Sequence, residues 1–232
     1  MCKKLIYLLS LVFVLGLFGS VAQGGAVIEL DALPSGDDVV LVSDGPNQQN
    51  AAFERNPGAD NPPHHDYKKS GVTIEDAALD GDEVNMTSIT LLFNQVKSSG
   101  ATTVTIPDEA GHVIQFWFGQ IDAGNVPQLP GVTNTIDVRG VTFTAGKYYR
   151  FTLDTPVTFD ASAANDWAWQ GWWTTDDIDN DLVWARTNDN DVFAGGMLYQ
   201  RDKTSTNTTF PFTDPVAVAG HDLIFAMEIG VE

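Results

Sequence analysis

The stretch Tyr148-Tyr149-Arg150-Phe151-Thr152-Leu153 sorts its residues by a period of two: Tyr149, Phe151 and Leu153 on one side, Tyr148, Arg150 and Thr152 on the other. Successive side chains of an extended strand point to opposite faces, so this alternation lays one face on a core and turns the other away. Leu223, Phe225, Met227 and Ile229 repeat it near the end of the sequence, with Glu228 on the opposite face, where solvation is expected.

Outward from these two stretches, short apolar runs recur between clusters of Gly, Pro, Asn and Asp. Val39–Val42, Ile89–Phe93, Thr102–Ile106, Val113–Phe118 and Ile136–Val141 precede the first. Val157–Phe159, Trp167–Trp173, Leu182–Ala185 and Met197–Tyr199 lie between the two. Ile74–Leu79 could make one helical turn before Gly81, and no helical stripe is sustained beyond the first residues. Eleven such runs predict an all-β domain of two packed antiparallel sheets, a jelly-roll-like sandwich spanning 23–232. Within it, Gly45–Lys69 carries Pro46, Pro57, Pro62 and Pro63 and no strong apolar run, so it reads as a long Pro-rich loop.

Residues 1–22 read as a signal peptide. Lys3 and Lys4 precede the apolar Leu5–Phe18, and Gly19-Ser20-Val21-Ala22 supplies the small residues of a cleavage site. The run is too short for a membrane span, so export is expected, with no membrane insertion after cleavage. The cut removes two lysines and no carboxylate from 12 basic and 31 acidic side chains, moving the net charge from −19 to −21. It also removes Cys2, the single cysteine, which excludes a disulfide scaffold, a thiol nucleophile and a Cys-ligated zinc site. So acidic a chain argues against nucleic-acid binding, which needs a basic face to release counterions.

Asp166–Trp173 reads Asp-Trp-Ala-Trp-Gln-Gly-Trp-Trp. On a strand, Trp167, Trp169 and Trp173 share a face with Gly171, and Trp172 joins Ala168 and Gln170 on the other. Indole faces suit stacking under sugar rings, and Asp166, Gln170 and Asp176 could orient hydroxyls. A glycan is therefore the expected ligand, if there is one. Large aromatics also fill cores, so most of these rings are expected to be structural, with one or two partly exposed. Because only one face of a strand sees a two-layer core, Trp172 or the Trp167/Trp169/Trp173 set should lie outside or beneath a loop. Trp117 and Gln115 are separated in the same way from Ile114, Phe116 and Phe118, whereas Trp184 is ambiguous.

Asp176, Asp177, Asp179 and Asp181, then Asp189 and Asp191, form two acidic clusters around a predicted strand. Oxygen ligands two residues apart fit a structural Ca²⁺ supplied by Asp177, Asp179, Asp181, Asp189 and Asp191. Leu182 stands where an EF-hand has its glycine, and turn capping explains Asp and Asn equally well. His64-His65-Asp66 reads as loop surface. The phosphate-cradling, nucleophile-elbow, dinucleotide and H-E-x-x-H motifs are all missing, and no catalytic residue is assigned.

Thr144-Ala145-Gly146-Lys147-Tyr148-Tyr149-Arg150-Phe151-Thr152-Leu153 resembles a strand opening of bacterial exported sandwich domains, in which Ala-Gly introduces a strand with Tyr and Phe. Asp191-Val192-Phe193-Ala194-Gly195-Gly196-Met197-Leu198-Tyr199 and Asp222-Leu223-Ile224-Phe225-Ala226 look like further parts of it. Over about 86–232 the chain is similar to domains found ahead of PEP-CTERM sorting tails and to carbohydrate-binding jelly rolls. The resemblance implies an exported sandwich, most of whose relatives lack a defined activity. The sequence ends at Glu232 without a Pro-Glu-Pro motif or apolar tail, so sorting by that route is not expected.

Together these readings give a secreted or cell-surface binding or structural sandwich with glycan as ligand. An assembly domain without a small ligand is the alternative, and a glycoside hydrolase or polysaccharide lyase a third.

Overall fold

The computed structural model describes residues 25–45, 48–50, 70–75, 83–96, 101–160, 165–173, 183–187, 193, 196, 198–201, 210–213, 215–217 and 221–230. Its strands are β1 (Val27–Leu30), β2 (Val39–Ser43), β3 (Gln48–Asn50), β4 (Ser70–Ile74), β5 (Glu83–Gln95), β6 (Thr103–Thr105), β7 (Val113–Gln120) and β8 (Val132–Asp137). They continue with β9 (Thr142–Thr144), β10 (Lys147–Asp160), β11 (Trp167–Trp173), β12 (Val183–Thr187), β13 (Leu198–Arg201), β14 (Pro215–Ala217) and β15 (Phe225–Glu228). All their pairings are antiparallel.

The alternation in Tyr148–Leu153 extends into the longest strand, β10. Phe151 lies between Val27 of β1 and Ile89 of β5, so β10 is the second strand of a seven-stranded sheet. Past β5 that sheet divides, with β15 and β2 beside Ser88–Leu91 and β12 and β3 beside Phe93 and Gln95. The second sheet has six strands in the order β14-β13-β4-β11-β7-β8. The small β6–β9 pair is joined to the first sheet by Gly146 N–H donating to the Phe93 carbonyl at 2.7 Å.

The core fills the gap between the two large sheets, and the period-two faces decide what enters it. Ile89, Leu91 and Phe93 of β5 meet Phe151 and Tyr149 of β10 and Phe225 and Met227 of β15. Ile114, Phe116 and Phe118 face them from β7, with Val72, Ile74, Ile136, Trp169 and Leu198. Trp184, ambiguous by sequence, enters this core and stacks on Phe116 at 14°. It fits because the facing β11 position is Gly171, where a Cβ would stand 2.1 Å from the indole.

Several boundaries differ from the sequence reading. Tyr148–Leu153 and Val157–Phe159 are one strand, since β10 absorbs Pro156 in a register shift between Thr152 and Val157. A bulge is one of the few places where a sheet tolerates proline. Ile136–Val141 is not a strand. β8 ends at Asp137, and the chain turns through Gly140 at φ +69° before β9. Gln48–Asn50, inside the expected Pro-rich loop, pairs with β12 as β3. Ile74 ends a strand, β4, where a helical turn was considered; 76–79 lie outside the described residues.

Glu228 corrects a further expectation. It points away from the core, as its alternation requires, but it is buried and not solvated. Arg150 holds it with two bonds, Nε to Oε2 at 2.8 Å and Nη2 to Oε1 at 2.7 Å. Ser88 Oγ and Thr90 Oγ1 also donate to Oε2, at 3.2 and 3.3 Å.

Candidate functional site

β11 carries the aromatic cluster and lies between β4 and β7, well inside its sheet. In its ladder with β7, Trp167 stands opposite Gln120, Trp169 opposite Phe118 and Gly171 opposite Phe116, all on the core side. Ala168, Gln170 and Trp172 stand opposite Gly119, Trp117 and Gln115 on the outer side. The two faces divide as the alternation predicts, and their fates differ from residue to residue.

Trp169 is fully enclosed among Phe116, Trp184 and Phe225, leaving no indole face for a ligand. Gln170 is equally enclosed, with both ends of its amide bonded to the backbone of Phe212. Neither can contact a sugar, which corrects the expectation for these two. The two are enclosed on opposite sides of the sheet: Trp169 faces the core between the sheets, and Gln170, on the outer face, is roofed by the segment 210–213. Trp172 is half-buried under that roof, its ring 5.4 Å from that of Phe210. The strand includes Trp173, whose side chain lies outside the described residues. Asp166 is exposed, and its carbonyl accepts the N–H of Ile121 at 2.9 Å.

Trp167 is different. At the start of β11 it packs edge-on against Phe159 at 5.2 Å, donates its indole N–H to the Asp160 carbonyl at 3.0 Å, and stays half-buried. It lines an open groove of about 350 Å³ with Phe118, Val132 and Val157 as apolar floor. Leu129 and Pro130 form a wall, and Gln120, Gln128 and Thr158 bring the polar side chains. Gln128 is tied to the hairpin, its N–H donating to the Gln120 carbonyl at 2.8 Å and its side-chain Nε2 to the Val126 carbonyl at 3.3 Å. Leu129 is 70% exposed, the highest of the large apolar side chains among the described residues. The lining contains no charged side chain. Sequence reasoning missed Leu129 and Gln128, because a β7–β8 connection carries no pattern that says which strand it will meet, and Gln120, the last residue of β7, because only the ladder sets it opposite Trp167.

The residues expected to hold Ca²⁺, Asp177, Asp179, Asp181, Asp189 and Asp191, lie outside the described residues, as do Asp176 and His64-His65-Asp66. Among the described residues no three His, Cys, Asp or Glu side chains are gathered as a metal would require. The chain matches no protein-family model, no curated protein and no solved structure.

Proposed function

We propose that this protein is an exported, non-catalytic β-sandwich that binds a neutral glycan in the groove beside Trp167. The observation that carries the reading is a half-buried indole in an open, uncharged groove whose polar side chains are amides and a hydroxyl. Such groups donate to and accept from sugar hydroxyls, while the indole and the Leu129–Pro130 wall cover the apolar face of a ring. The net charge of −19 favours neutral over anionic polysaccharides. Export follows from residues 1–22, and a structural Ca²⁺ at Asp177–Asp191 belongs to the same reading.

Affinity electrophoresis tests it. Migration should be retarded by gels containing neutral polysaccharide and not by polyuronate gels, and Trp167→Ala should abolish the retardation. Full-strength retardation of that variant, or none of the wild type in a panel of neutral polysaccharides, would reject the groove.

The assembly alternative is supported by the enclosure of Trp117, Trp169 and Trp184, which ties most of the indole to structure. A two-carboxylate hydrolysis is disfavoured at this groove, since its lining includes no Asp or Glu.

A further inference from the structure

The groove beside Trp167 has two sides whose separation the sheet itself sets. β7 runs between β11 and β8. Its last residue, Gln120, stands opposite Trp167 on one flank, and its carbonyl accepts the Gln128 N–H at 2.8 Å on the other. Trp167 and the Leu129–Pro130 wall therefore rise on either side of one strand end, with Phe118 and Val157 beneath. Neighbouring strands lie about 4.8 Å apart, which puts the two sides roughly 9–10 Å from each other, backbone to backbone. Carbon contacts of about 3.5–4 Å on each face of an intruding ring take up ~7–8 Å of that span. One ring on edge fits; two do not.

Both sides are fixed before anything binds. Trp167 is held by Phe159 and by its bond to the Asp160 carbonyl. The wall is held from behind by Trp117, a fully buried ring whose indole N–H donates to the Pro130 carbonyl at 3.3 Å. Gly131 crosses that ring at φ +58°, and a Cβ there would stand 2.2 Å from Nε1. Gly119 touches the same ring, with 2.4 Å left for a Cβ. A gap whose sides are already ordered loses little freedom on binding. Leu129 is the exception to this burial, being 70% exposed.

Sugar rings differ in what they turn toward such sides. A β-linked pyranose with every substituent equatorial (gluco or xylo) shows only axial C–H on both faces, and its hydroxyls radiate from the edge. An axial oxygen, such as O2 of a mannoside, O4 of a galactoside or O1 of an α-linkage, stands on one face instead. Against Trp167 or Leu129 that oxygen gives up water and gains no partner. Equatorial hydroxyls meet the amides of Gln120 and Gln128 and the Thr158 hydroxyl. The C5 edge, which has no hydroxyl on the ring itself, suits the apolar floor.

We propose that the groove is a slot for one β-linked, all-equatorial pyranose of a glucan or xylan chain, covered on both faces by Trp167 and Leu129. The inference rests on the reading of this groove as a glycan site and narrows the class of sugar.

Affinity electrophoresis in mixed-linkage β-glucan, pullulan and galactomannan separates the cases. Pullulan has the same sugar with an axial anomeric oxygen, and galactomannan has a backbone with axial O2. The dissociation constant, read from mobility against polysaccharide concentration, should be roughly tenfold or more lower for β-glucan than for either. Leu129→Ala, at a side chain outside the core, should erase that preference. Equal or reversed constants in the wild type would overturn the slot and leave the groove reading standing. Retardation by none of the three would overturn both. A folded Leu129→Ala chain with its preference intact would also overturn the slot, because the second face would then be uncovered without consequence. Should that variant fail to fold, the wild-type constants decide.

Discussion

Asn134 closes both backbone groups of Thr155 across the two sheets: the Thr155 N–H donates to Oδ1 at 2.8 Å, and Nδ2 donates to the Thr155 carbonyl at 3.1 Å. Thr155 lies inside the register shift of β10, where the ladder with β5 lapses between Thr152 and Val157. A side-chain amide thus replaces a missing rung, just as Gln170 does for Phe212. Asn134 is buried but Thr155 is exposed, so Asn134→Ala removes two bonds at a site that water can partly reach and should cost about 0.5–1.5 kcal/mol. Urea unfolding measures this, and a midpoint unchanged from wild type would mean that water supplies the rung.

Arg150 and Glu228 make the second prediction. Glu228→Ala leaves a largely covered guanidinium without its carboxylate. Breaking a fully buried pair costs roughly 3–5 kcal/mol, and about 2–4 is expected because the Arg150 side chain keeps 22% of its surface. Arg150→Met with Glu228→Leu should recover much of the loss in thermal denaturation, since replacing both charges removes both desolvation costs. A double variant as unstable as Glu228→Ala would count against this account.

Tyr149 sets an alkaline limit. Burial, and then its hydroxyl's bond to Glu29 Oε2 at 2.5 Å, push the phenol up to about 12 from the ordinary 10. The folded state keeps a proton that the unfolded chain releases, so this stabilisation is intact below pH 10 and lost as pH rises through about 12. Two pH units correspond to ~2–3 kcal/mol. Tyr149→Phe should flatten the fall in stability over pH 10–12, measured by urea midpoints. A slope identical to wild type would transfer the effect elsewhere, Tyr199 first, because burial raises that phenol too.

Gly171→Ala tests the fit between sheets. The new methyl would collide with Trp184, whose ring is held against Phe116 and cannot swing aside cheaply. Overpacking should destabilise by about 1–3 kcal/mol, and Trp184→Phe in the same chain should relieve most of it. Calorimetry reads both, and additive losses would show that the two positions are not coupled.

How much of this was legible beforehand varies with the physics. The faces of β7, β10, β11 and β15 followed from period two alone, because a pleated strand has no other choice. The division of Asp166–Trp173 was legible for the same reason, as was the expectation that Trp172 or the Trp167/Trp169/Trp173 set would lie outside the core or beneath a loop. What covers it was not: Phe210 and Phe212 carry no periodic signal, and only the folded connection shows where they land. Glu228 misled because alternation reports direction and not coverage, and Arg150 lies far from it in sequence. Glycines 71, 119 and 171 look like weak points in a strand until the rings above them are known.

Val27, Phe151, Ile89 and Met227 stand in one row across β1, β10, β5 and β15. Since adjacent strands alternate in direction, the chain enters β1 and leaves β15 at the same end of the sheet. A pull applied between Val27 and Glu228 therefore loads their ladders one rung at a time, as in unzipping, and never in concerted shear. The four-residue edge strand β1 yields first, so under traction the sheet parts from its margin inward.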